Sequence, residues 1–189
     1  KLTLKEVIAK SSQVGSSKLA LIVGVDGLVS GYQAFGLSKP PNIFFPNIAY
    51  GVIKTRENIS DHEVASLGFG YGLTASALQL ATAYSVFANK GYLKDFKIFL
   101  DDTEIYQQRV ISNETTLNIL DVLQSVVTEG TGGLATVPGF EVAGKTGTSH
   151  KSSSSGGYAK SKYVASFAGT YGSQFLKCIE FSPTFFFQN

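Results

Sequence analysis

The 189-residue chain is 43% hydrophobic and 16% charged with a formal net charge of +2, a balance that suits one globular domain burying roughly 70% of its unfolded surface and excludes a disordered chain. Its 16 Lys and Arg residues are scattered, with no basic stripe of the kind that tracks nucleic acid. The lone cysteine, Cys178, excludes an internal disulfide, and no apolar run reaches the ~18 residues of a membrane helix, because Leu19 to Val25 is interrupted by Gly24.

Thr3-Leu4-Lys5-Glu6 has capping-box spacing and predicts a short helix to about Lys10. Val14 to Gly24 reads as a second helix. Asp26 is placed to cap a third, through Leu28, Tyr32 and Phe35, with Gly36 as its stop. Residues 37 to 62, with Pro40, Pro41 and Pro46, read as loop. Gly68-Phe69-Gly70-Tyr71-Gly72 predicts a tight turn, after which Thr74 caps a helix to about Asn89. Ser112 caps another, carrying Leu117, Leu120, Leu123 and Val127 and ending before Gly130.

Thr131-Gly132-Gly133 reads as a flexible turn, and Phe140 to Ala143 alternates like a strand. His150 to Tyr158 is a Ser/Gly-rich loop, and Lys162 to Thr170 is a second strand carrying Tyr163 and Phe167 toward the sheet. Early helices and late antiparallel strands predict an α+β fold. Residues 173–189 hold a possible further strand, Phe175 to Phe181, and a Phe-rich tail unlike a natural domain end. Residue 1 is lysine and methionine is absent, so the sequence is expected to be a fragment or a processed chain, with any anchor upstream of it.

Two segments carry chemistry. Lys145-Thr146-Gly147-Thr148 puts an ammonium, two hydroxyls and a bare glycine in one short stretch, a set that can dock a carboxylate beside an oxyanion hole. Ser11-Ser12-Gln13 follows the first helix and offers a hydroxyl and an amide. Together they suggest acyl transfer by a serine enzyme. A competing pattern overlaps the first segment: Gly139 to Thr146 satisfies G-x-x-x-x-G-K-T, the phosphate loop of nucleotide-binding proteins. That loop needs a helix starting at the lysine, whereas strand formers precede Lys145 and a serine run follows. His62 and His150 are too few and too far apart for a metal site and read as loop residues.

With these motifs in place, the chain resembles the transpeptidase domain of class B penicillin-binding proteins, most like the septal D,D-transpeptidases. The resemblance lies in Thr3 to Leu21, Ser66 to Tyr84 and Thr128 to Ser149, in that order, and covers about residues 1–172. It implies a mostly antiparallel sheet flanked by helices and no cofactor or metal. Lys145-Thr146-Gly147 matches the K-T-G motif, and Ser11-Ser12-Gln13 aligns with S-x-N, Gln13 standing where the family has Asn.

By the resemblance, Ser11 relays a proton, Lys145 organises the serine cluster, and Thr146 and Thr148 hold the substrate carboxylate. Gly147 lets the peptide lie along the strand. The S-x-x-K motif is absent, since no serine has a lysine three positions on, so the acylated serine is expected upstream and this stretch alone is expected to be inert. The implied substrates are D-Ala-D-Ala stem peptides and β-lactams. The implied partners are a membrane glycosyltransferase and division proteins, on the periplasmic side of an inner membrane. A D,D-carboxypeptidase or β-lactamase, a non-catalytic binding protein, and the nucleotide binder are the alternatives.

Overall fold

The computed structural model describes residues 1–43, 46–53, 59–96, 106–152 and 158–171. Five helices are described, α1 (Leu4–Ala9), α2 (Gln13–Ala34), α3 (Asp61–Leu67), α4 (Ala77–Ala88) and α5 (Asn113–Thr128). Two antiparallel pairs accompany them: β1 (Tyr92–Lys94) with β2 (Gln107–Arg109), and β3 (Val142–Ser152) with β4 (Tyr158–Tyr171). This is the expected mixture of helices and antiparallel strands. The expected features of residues 173–189, including the further strand and Cys178, lie outside the described residues.

The predicted caps at Thr3 and Ser112 form. The Thr3 hydroxyl accepts from the Glu6 N–H while the Glu6 carboxylate reaches back to the Thr3 N–H; the Ser112 hydroxyl accepts from Thr115. α5 then buries Leu123, Val126 and Val127 against β3 and α1, with Ala143 and Ala168 on the sheet side. This layer carries the candidate site.

Several boundaries differ from the sequence reading. The second and third helices are the two arms of α2, broken at Gly24 (φ 77°, ψ 167°) where the sequence reading ended the second helix; only the cap differs, since Asp26 lies inside the second arm. α2 is also long and apolar enough to cross a membrane by length and composition, at 22 residues with a mean hydropathy of 1.3 over an 18-residue window. Counting uninterrupted apolar residues missed it, because an average absorbs Lys18, Gly24 and Asp26. Here it packs on α3, with Ser17 Oγ donating to the Ala65 carbonyl and Tyr32 Oη to that of Leu67.

α3 falls where loop was expected up to residue 62, and its N-cap is Ser60 in a capping box with Glu63. His62 is therefore helical rather than looped, and His150 lies in β3. α4 is capped by Ser76, paired with Gln79, instead of by Thr74. The Thr74 hydroxyl accepts from the Val52 N–H, which ties the preceding loop. β3 and β4 extend well beyond the expected strands, so Lys145 to Ser149 lie inside a strand and do not open a loop. Phe167 packs over Gly144, but Tyr163 is 54% exposed.

Gln79, only 1% exposed, organises the long loop before α3. Its Oε1 accepts from the N–H groups of Gly51 (2.6 Å) and Ser76 (2.9 Å), and its Nε2 faces the carbonyls of Lys39 (2.9 Å), Leu37 and Gly51 (both 3.3 Å). Each buried backbone group left unpaired costs about 1–3 kcal/mol. Gln79→Leu is expected to lower unfolding stability by about 2–4 kcal/mol, read by urea denaturation. An unchanged midpoint at unchanged slope would refute this role.

Candidate active site

α1 ends in a Schellman turn. The Ser12 N–H donates to the Val7 carbonyl (2.8 Å) and the Ser11 N–H to that of Ile8 (3.1 Å). Lys10 is the C-cap, and Ser11 is the left-handed residue after it, at φ 52°. Ser12 then turns the chain into α2, its hydroxyl accepting from the Gly15 N–H (3.2 Å). Two helix ends therefore fix Ser11 from both sides and leave its side chain exposed.

The other wall is β3, paired with β4 so that Lys145 faces Ala168, Thr146 faces Phe167 and Gly147 faces Ser166. A Cβ at Gly144 would run into the Phe167 ring, so the strand needs its glycine just before the lysine. The two walls meet at one contact. Lys145 Nζ lies 3.0 Å from Ser11 Oγ, 3.0 Å from the Thr146 carbonyl oxygen and 3.5 Å from Thr146 Oγ1. Burial holds the Lys145 pKa below the ordinary lysine value, because removing water penalises the ammonium. An ammonium so placed can polarise the Ser11 hydroxyl and pass it a proton.

Gly147 and Thr148 continue along β3 as exposed residues, with Ser166 Oγ donating to the Gly147 carbonyl (3.3 Å). Gln13 opens α2 with an exposed side chain, and no hydrogen bond among the described residues ties it to Ser11 or Lys145. The fold thus brings Ser11, Lys145 and Thr146 together, sets Gly147 and Thr148 beside them, and leaves Gln13 apart from the hydrogen-bonded cluster.

Thr131, read only as part of a turn, joins the cluster: its Oγ1 lies 2.9 Å from Thr146 Oγ1. The nucleotide reading of Gly139 to Thr146 fails on geometry. Lys145 sits within β3, and no helix begins there to present N–H groups to a phosphate.

Residues 1–174 match the family described as the penicillin binding protein transpeptidase domain. The chain is 35% identical over 170 residues to a peptidoglycan D,D-transpeptidase FtsI of Buchnera aphidicola and 37% identical over 169 residues to that of Escherichia coli, in each case over 89% of the chain. It spans about 30% of the length of these curated relatives. Among solved structures, the apo transpeptidase domain of Burkholderia pseudomallei penicillin-binding protein 3 superposes with a TM-score of 0.80 at 38% identity, covering 89% of this chain and 52% of that one. Penicillin-binding protein 3 of Mycobacterium tuberculosis complexed with aztreonam superposes with a TM-score of 0.80 at 30% identity, covering 89% and 42%.

Proposed function

The chain belongs to the penicillin-binding-protein transpeptidase family, and from that premise we propose that the full-length protein is a peptidoglycan D,D-transpeptidase of septal wall synthesis. Its substrates are stem peptides ending in D-Ala-D-Ala, and β-lactams mimic the donor. The observation that carries this reading is the 3.0 Å contact between Lys145 Nζ and Ser11 Oγ, which joins residues 134 positions apart into one polar cluster.

In this reading a serine from another segment of the protein attacks the penultimate D-Ala carbonyl. The ester C–O bond forms, the peptide C–N bond breaks, and the terminal D-Ala leaves as an amine that takes up a proton. Ser11 and Lys145 relay that proton. The hydroxyls of Thr146 and Thr148 receive the donor's terminal carboxylate, the Thr148 N–H supports the oxyanion, and the peptide lies along β3 past Gly147. Attack by an amine of a second stem then releases the serine and forms the cross-link. Gln13 takes the place of the motif's amide from a longer side chain. A membrane anchor, a periplasmic catalytic domain, and glycosyltransferase and division-protein partners complete the proposal.

Labelling with a fluorescent penicillin tests it. The full-length protein is expected to carry one covalent adduct and to make cross-linked dimers from pentapeptide stems. Absence of any adduct at saturating penicillin would sink the reading, and release of D-Ala without dimers would reassign it to hydrolysis.

A further inference from the structure

Thr131 touches both walls of the pocket. Its N–H donates to the Ala9 carbonyl (3.3 Å), in the turn that holds Ser11, while its hydroxyl meets that of Thr146 on β3. The Gly132 N–H donates to the Val126 carbonyl (2.8 Å), which fixes the same loop to α5. Thr131 is itself exposed, so its hydroxyl sits at the open rim of the site.

Donor and acceptor counting fixes Lys145 as a donor but leaves the Thr131–Thr146 bond open, since either hydroxyl can donate. A hydroxyl has one proton and two lone pairs, and a lysine ammonium can only donate. Lys145 Nζ approaches one side of Thr146 Oγ1 at 3.5 Å, and the Thr131 hydroxyl approaches at 2.9 Å. When Thr131 is the donor, the two neighbours engage the lone pairs of Thr146 and its proton points out of the cluster. We propose that Thr131 is a positioning residue that polarises Thr146 in this way, so that the Thr146 hydroxyl acts as a donor to a bound carboxylate. The proposal rests on the acyl-transfer reading above and adds to it a residue outside all its motifs. Thr131 touches no substrate and acts only through Thr146.

The test compares a β-lactam acid with its methyl ester on the full-length protein, separating the dissociation constant of the encounter complex from the acylation rate constant. Thr131→Val fills the same space without a donor. It is expected to weaken the encounter complex with the acid about two- to tenfold, the range of one lost neutral hydrogen bond, because Thr146 itself stays in place. The acylation rate constant and the reaction with the ester should not move, and Thr131→Ser should recover the acid's affinity. Thr131→Ala serves if the valine variant misfolds. Wild-type behaviour of the valine variant toward the acid would overturn the proposal, as would equal losses on acid and ester, the mark of a merely structural role. A wild-type protein that is labelled but does not distinguish acid from ester would overturn it too. A wild-type protein that takes no label would remove the acyl-transfer reading and the proposal with it.

Discussion

Replacing Ser11 by glycine in the full-length protein is expected to cut acylation and transpeptidation by about 100-fold or more, the range general acid–base groups contribute, while leaving the fold at least as stable as Ser11→Ala leaves it. The two substitutions remove the same hydroxyl and the same contact with Lys145 Nζ. They differ only in what they place at φ 52°. A Cβ crowds the backbone in that left-handed region and glycine does not, so the glycine variant should be more stable than the alanine variant by about 1 kcal/mol.

α2 supplies an internal comparison. It ends in the same turn, with the Leu37 N–H donating to the Tyr32 carbonyl (3.0 Å), and there the left-handed position is held by Gly36 at φ 81°. A positive φ is not by itself a site signature, because Lys90 holds one at φ 54° beyond α4. What sets Ser11 apart is that its hydroxyl reaches a half-buried ammonium on another element. Equal kinetics for Ser11→Gly and wild type would break the proton-relay assignment. Equal melting temperatures for the glycine and alanine variants would break the account of the turn.

Local chemistry made part of this arrangement readable in advance. The Thr3–Glu6 and Ser112 caps, the helical spacing of Leu123 and Val127, and the Gly68–Gly72 turn each depend on residues within one or two helical turns. The Ser60–Glu63 and Ser76–Gln79 boxes are signals of the same kind, and there the prolines before one and Thr74 beside the other diverted the reading. Strand length was harder to see. Gly144, Gly147 and the serines after them weaken strand propensity, yet pairing with β4 carries β3 to Ser152.

The pairing of Ser11 with Lys145 was expected only through the family motifs, since no periodicity links positions so far apart. Thr131 lies in the Thr128 to Ser149 block that carries the resemblance, but no motif or spacing there gave it a role. Its role depends on where α5 stops relative to α1, a tertiary fact that the Thr-Gly-Gly composition does not encode.

That same junction sets the last prediction. Gly130 lies against the end of α1 so closely that a Cβ would drive into the Ala9 carbonyl oxygen and come within 2.9 Å of the Val126 carbonyl oxygen. Neither neighbour can yield cheaply. Ala9 O accepts from Thr131, Val126 O accepts from Gly132, and both residues are buried. Gly130→Ala must therefore push α1 away from α5, and Ser11 follows Ala9 closely enough in the chain to move with it. Overpacking of this kind costs about 1–3 kcal/mol. A shift of about 1 Å between Ser11 and Lys145 is enough to cost about 100-fold in rate. Gly130→Ala is thus expected to lower both the melting temperature and the acylation rate constant of the full-length protein, with the rate still reduced well below the melting transition. Gly133→Ala is the control three residues on, where a Cβ meets nothing nearer than the Val127 carbonyl oxygen at 3.9 Å, and it should match wild type in both measurements. If Gly130→Ala acylates normally while melting early, the α1–α5 contact supports the fold but does not align the pocket; if it does neither harm, the close approach of the two helices is not a property of the protein in solution.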